Sequence, residues 1–285
     1  MTRGASERIA QTLGLSPVRV SPLYGGCVAE VYLAEFPGGR RMVVKIDRRP
    51  RAMLDREGFM LGMLRERSAF PVPEVIACEP GLLAMEYITH EGGPDDAGRE
   101  QLARLVADLH GIAGPGYGLD RHTLIGPLEQ PNQWTDNWAA FYAEQRVRHF
   151  ARHAHREGQL PAGLLTRCER LADRMGDLLG PGEGACLIHG DLWAGNVLWR
   201  GGLVAGIIDP AVYYAEREVE LTFMELFGSF GDRFWSAYCE HRPLRDGFFE
   251  QRIHAYRVYP LLVHVSLFGD GYIDPLVREI DACGF

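Results

Sequence analysis

Leu187-Ile188-His189-Gly190-Asp191-Leu192-Trp193-Ala194-Gly195-Asn196-Val197-Leu198, continued past a Gly201-Gly202 turn by Ile207-Ile208-Asp209-Pro210, is the stretch on which the reading of this chain turns. Two acids and an amide stand beside turns between short apolar runs. Asn196 follows Asp191 by five residues, and Asp209 follows Asn196 by thirteen. Phosphoryl transfer calls for a carboxylate that orients the acceptor hydroxyl and takes its proton, plus hard oxygen donors for magnesium. Asp191 suits the first task, Asn196 and Asp209 the second. Any one of them alone reads as a turn residue or helix cap. All three at this spacing outweigh that reading. His189 reads as support for the loop, since the chemistry needs no second base.

The spacing of Asp191 and Asn196 equals that of a kinase catalytic loop, and the upstream residues agree with it. Lys45 ends the apolar run Met42-Val43-Val44, where a strand lysine would grip nucleotide phosphates. Glu57, on the helix expected next, is placed to pair with Lys45. Singly, each reads as solvated surface. Together and in this order they add specificity. Tyr24-Gly25-Gly26-Cys27-Val28-Ala29-Glu30 is the turn expected to cover the phosphates, with Gly25 and Gly26 in contact with nucleotide. As a glycine motif it is weak, and an ordinary hairpin turn explains it equally well. Ala84-Met85-Glu86-Tyr87-Ile88 falls where the interlobe hinge belongs, so the backbone of Glu86, Tyr87 and Ile88 is expected to meet the adenine edge.

The rest of the chain fits around these residues. Val18–Leu23, Ala29–Phe36, Arg41–Ile46, Val75–Cys78 and Leu82–Tyr87 are short runs with strand character, separated by glycine and proline turns. An amphipathic helix is expected over Ala52–Arg67. After Ile88 the pattern turns helical, with helices expected at 98–110, 134–155, 161–179 and 218–227 and a β-island at 186–208. The expected fold is therefore α+β and bilobal, of protein-kinase-like form. A small five-stranded antiparallel lobe with one helix (1–88, hinge at about 84–90) precedes a larger helical lobe (89–285).

Bulk properties narrow the partners. The 285 residues carry a formal charge of −8, which argues against nucleic acid as the main partner. An acidic surface suits a cationic acceptor or plain solubility. Six scattered cysteines form neither a zinc pattern nor a dense disulfide framework. No leader or membrane-length apolar run is seen, so a soluble cytoplasmic protein is expected.

At this point the chain resembles the fructosamine kinases, or ketosamine-3-kinases, relatives of the aminoglycoside phosphotransferases. HGDLWAGN at 189–196 is similar to that family's loop, with Trp193 setting it apart from most antibiotic kinases. Ile208-Asp209-Pro210-Ala211-Val212-Tyr213-Tyr214 is similar to the family's metal segment, and Gly126–Asn132 with Trp134, Trp138, Phe141 and Arg146 resembles its acceptor-side stretch. Glu225-Leu226-Phe227-Gly228, and Leu267-Phe268-Gly269 with Gly271-Tyr272, resemble further family segments. The resemblance implies an ATP- and Mg2+-dependent kinase acting on the 3-hydroxyl of ketosamines, free or on glycated protein lysines. The 3-phosphate then decomposes and releases the amine, a deglycation repair. Trp193 reads either as a flat wall against the sugar or as packing of the loop. Trp134, Trp138 and Arg146 share one face of an expected helix and read as core.

There are departures from the family pattern. Ala215-Glu216 stands where Gly-Asp is expected, and Glu220 where Asp is expected. Glu216 is placed at the substrate-binding rim, where its extra methylene leaves acceptor size open. Cys27, in the phosphate turn, reads equally as a redox switch or an inert small residue, and the protein as a monomer or a Cys27-linked dimer. Two other readings stay open: a kinase of another small hydroxylated amine, such as an aminoglycoside or a choline-like compound, and a catalytically dead nucleotide-binding protein.

Overall fold

The computed structural model describes residues 2–23, 29–228 and 230–285. The expected phosphate turn, with Gly25, Gly26 and Cys27, lies outside the described residues.

Helix α1 (Thr2–Leu13) leads into β1 (Arg19–Pro22), β2 (Glu30–Glu35) and β3 (Arg41–Ile46). Then come α2 (Leu54–Arg67), β4 (Val75–Glu79) and β5 (Leu82–Glu86). The five strands form one antiparallel sheet in the order β1-β2-β3-β5-β4. Strand alternation sorts its two faces. Met42, Val44 and Ile46 of β3, with Leu82 and Ala84 of β5, pack against Ala5 and Ile9 of α1. Lys45 and its neighbour across the ladder, Leu83, point the other way, towards α2. That face of the sheet is where Lys45 must be to meet Glu57. The close seat of α2 depends on Gly58: a Cβ there would lie 2.3 Å from Cys78 Sγ.

The helical part begins at α3 (Asp96–Leu109), capped by the Asp95 carboxylate accepting from Gly98 N at 2.8 Å. A small hairpin of β6 (Thr123–Ile125) and β7 (Leu128–Gln130) follows, then α4 (Trp138–Tyr142), a π-turn over Ala143–Arg148 and α5 (His149–Arg156). The helix expected from Trp134 thus starts four residues later, because the Asn137 side chain accepts from Ala140 N and caps it there. Trp134 lies outside that helix, half exposed and stacked on Tyr214. Helices α6 (Ala162–Asp173) and α7 (Met175–Leu179) split what reads as one helix in the sequence.

The β-island divides in two. Strand β8 (Cys186–Ile188) pairs not with its neighbours in sequence but with β11 (Tyr213–Ala215), while β9 (Val197–Arg200) and β10 (Leu203–Ile207) form their own hairpin. The C-terminal helices α8 (Glu218–Leu226), α9 (Asp232–His241), α10 (Ile253–Phe268) and α11 (Ile273–Ala282) complete the core. Pro260 sits inside α10 and has no N–H for the carbonyl of Tyr256. The Tyr142 hydroxyl donates to that carbonyl at 2.8 Å instead. Among the described residues, no helix is long and apolar enough to cross a membrane.

Candidate active site

The loop after β8 places its polar groups through backbone contacts. Gly190 has φ +86°, and a Cβ on it would fall 2.1 Å from the Ala211 carbonyl oxygen, so only glycine fits. Fully buried His189 donates from Nε2 to the Ile208 carbonyl (3.1 Å) and accepts from Asp191 N at Nδ1 (3.4 Å). Burial lowers its pKa, so the ring is neutral and braces the loop. Asn196 Nδ2 donates to the Asp191 carbonyl oxygen at 2.7 Å and lies 3.5 Å from its carboxylate. Burial, then the nearby Asp209 carboxylate, pushes the Asp191 pKa up to about 7, which suits a group that takes a proton near neutral pH.

Asp209 is the non-glycine residue with positive φ, +56°, among those described. Its Oδ1 accepts from Lys45 Nζ at 2.6 Å, and Glu57 Oε1 accepts from the same nitrogen at 2.7 Å. Burial would depress the Lys45 pKa, but these two carboxylates overcome it and hold the ammonium above the ordinary lysine value. Lys45, Glu57, Asp191, Asn196 and Asp209, spread over 164 residues between Lys45 and Asp209, are thus joined into one cluster.

Behind the loop runs a buried relay that sequence reasoning did not find. Glu220 Oε1 accepts from Gly190 N at 2.7 Å, and its Oε2 meets His110 Nε2 at 3.0 Å. His110 Nδ1 meets the Tyr238 hydroxyl at 2.8 Å, and Arg217 donates to that hydroxyl at 3.3 Å. Burial would raise the Glu220 pKa, yet the hydrogen bonds from His110 and Gly190 hold it below the usual range. An ionised Glu220 only accepts, so His110 carries its proton on Nε2 and accepts a hydrogen bond from the Tyr238 hydroxyl at Nδ1. His110 and Glu220 are 110 residues apart, so no local pattern announces the pair.

Other expected site residues fall differently. Trp193 is 39% exposed, its ring lying against Gly195, so it is not core packing. Trp138 and Arg146 are buried as expected, with Arg146 enclosed by the rings of Phe141, Tyr213 and Tyr259. Glu86 ends β5, and Tyr87 lies under the Arg41 guanidinium. The Ile88 carbonyl meets His90 Nδ1 at 2.9 Å. Glu216 corrects its expectation. It is fully buried, and its Oε2 accepts from Glu183 N at 2.6 Å. Tyr213 pairs with Ile188 and Ala215 with Cys186, so β11 carries Glu216 away from Asp191, roughly 10 Å beyond the near end of the ladder. It is not at the rim.

The donors fit a hard cation. The Asn196 amide spends its N–H on the Asp191 carbonyl, which leaves its oxygen available. Asp209 keeps a second carboxylate oxygen beyond the one that meets Lys45. Magnesium is held by few protein oxygens, the rest coming from phosphate and water.

The model of the family described as Fructosamine kinase matches residues 1–283. A probable ketoamine kinase of Thermus thermophilus is 35% identical over 262 residues, covering 92% of each chain. The chloroplastic protein-ribulosamine 3-kinase of Oryza sativa subsp. indica is 30% identical, covering 98% of this chain and 87% of that one. A crystal structure from Thermobifida fusca, described as that of a candidate fructosamine-3-kinase, superposes with a TM-score of 0.87 at 32% identity over 98% of this chain and 97% of that one. An aminoglycoside phosphotransferase bound to gentamicin and the Streptococcus pneumoniae choline kinase share the fold at 16% identity, with TM-scores of 0.66 and 0.69.

Proposed function

We propose that this chain, which belongs to the fructosamine kinase family, transfers the γ-phosphoryl group of ATP to the 3-hydroxyl of ketosamines, free or carried on protein lysines. The observation that carries the reading is the meeting of two sets of groups. Lys45 joins Glu57 to Asp209 at 2.7 and 2.6 Å, and Asn196 reaches back to Asp191 beside them. One set suits a nucleotide, the other an acceptor hydroxyl.

In this reading Asp191 orients the 3-hydroxyl and accepts its proton as the bond to phosphorus forms. Lys45, held by Glu57, contacts the nucleotide phosphates. Asn196 and Asp209 would hold Mg2+, which when bound neutralises charge on the transferring phosphates. The backbone of Glu86, Tyr87 and Ile88 would meet the adenine edge, and Gly25 and Gly26, outside the described residues, are assigned to the phosphates from their sequence alone. The exposed face of Trp193 gives the sugar a flat apolar wall next to Asp191.

The test compares ATP consumption with ribulose-lysine, fructose-lysine and a simple aminoglycoside under one set of Mg2+ conditions. Turnover with a ketosamine and none with the antibiotic is expected. Turnover with the aminoglycoside alone moves the chain to the other small-amine kinases, and none with any acceptor removes the reading.

A further inference from the structure

The β6–β7 hairpin touches both halves of the molecule. Outward, Glu129 Oε2 accepts from Arg56 Nη1 of α2 at 2.7 Å. Just before the hairpin, Arg121 lays its guanidinium 3.9 Å above the Phe59 ring, also on α2. Arg56 and Phe59 are three residues apart and so share a helix face. Glu57 lies between them in sequence and turns to Lys45.

Inward, buried Gln130 donates from Nε2 to the Ala211 carbonyl at 3.0 Å, two residues past Asp209. Its oxygen accepts from the Tyr259 hydroxyl at 2.5 Å. The Glu129 carbonyl meets His149 Nε2 at 3.2 Å, so the hairpin backbone is fixed to the helical part. The contacts close a ring. Arg56 meets Glu129, Gln130 meets Ala211, Asp209 meets Lys45, and Lys45 meets Glu57 one residue from Arg56.

We propose that this hairpin is a brace that sets α2 against the Asp209 segment, making Arg56 and Glu129 positioning residues for the Lys45–Glu57 pair. The inference rests on the kinase reading only in assigning Lys45 to the phosphates. Side-chain exposures of 29% for Arg56 and 48% for Glu129 mean that their pairing adds little to global stability. Its effect belongs in the alignment of Lys45, where a small displacement is costly to rate.

The experiment measures kcat and the KM for ATP in Glu129→Arg, Arg56→Glu and the double charge swap, at saturating acceptor. Each single reversal is expected to lower kcat/KM for ATP roughly fivefold with the acceptor KM unmoved, and the swap to recover it to within about twofold. Circular dichroism and the unfolding midpoint should match wild type throughout. Single reversals without effect, a change confined to the acceptor KM, or a folded double variant that fails to recover would each overturn the brace. Calorimetric binding of a non-hydrolysable ATP analogue separates the two readings. If wild type turns over no acceptor, the proposed function fails, while weaker analogue binding in Glu129→Arg still supports the brace and equal binding overturns it.

Discussion

Glu220 holds the backbone of Gly190 from beneath, with Oε1 2.7 Å from its nitrogen, one residue before Asp191. The carboxylate receives hydrogen bonds on both oxygens, from Gly190 and His110. Glu220→Gln keeps the shape but either sets an amide N–H against the Gly190 N–H or drives the His110 proton to Nδ1, which takes away the acceptor of the Tyr238 hydroxyl. A shifted loop and a fall in kcat of about 10- to 100-fold are expected, with the KM for ATP little changed. Steady-state kinetics on the folded variant decide it. An unchanged kcat would mean that the relay has no part in placing Asp191.

The pKa of Asp191, about 7, gives the activity a sign. The ionised carboxylate is the form that accepts a proton. Log kcat/KM should therefore fall with a slope approaching one as the pH drops below about 7, and level off above it. Asp191→Asn should remove about a thousandfold of turnover or more while leaving nucleotide binding intact. A flat profile down to about pH 5.5 would contradict the assignment.

Glu216 sets a stability trend of its own. Burial raises its folded pKa to about 7, above the ordinary carboxyl value. The folded state thus binds a proton that the unfolded chain releases at lower pH. That contribution is present below the ordinary carboxyl pKa and is lost as pH rises through about 7. Glu216→Gln cannot ionise. It should gain on wild type as pH climbs, by up to ~3 kcal/mol on the alkaline side. Denaturant melts of both proteins at several pH values would show the curves parting, and parallel curves would refute it.

The seat of α2 predicts a coupled pair. Gly58→Ala drives a methyl into Cys78 Sγ and should cost about 1–3 kcal/mol. Removing the sulfur as well, in Gly58→Ala/Cys78→Ala, should recover much of that loss. Chemical denaturation of the four proteins in the cycle measures the coupling, and strictly additive losses would count against it.

Short apolar runs bounded by glycine and proline turns are strong local signals. They make β2, β3 and β5 legible in the sequence itself, and with them the pairing of Lys45 with Glu57. The Asp191–Asn196–Asp209 spacing is equally legible, because one short segment carries it. What stays hidden depends on partners distant in the chain. No local pattern announces the pairing of β8 with β11, and it is this register that takes Glu216 away from the cleft. Trp134 reads as part of a helix because aromatic spacing says nothing about the cap at Asn137. His110 and Tyr238 carry no motif, and only the fold brings them to Glu220.

Pro260 has a consequence for the order in which the chain assembles. Helix α10 cannot satisfy the Tyr256 carbonyl alone, and the hydroxyl that does so comes from Tyr142, 114 residues away. In an isolated α10 water meets that carbonyl, and burying it without cost requires the Tyr142 hydroxyl of α4, so these two helices should gain protection from hydrogen exchange together. Tyr142→Phe would leave the carbonyl unpaired at a cost of about 1–3 kcal/mol and uncouple the two. Exchange measured by mass spectrometry would then show α10 opening ahead of α4, whereas in the native chain a single event should expose both.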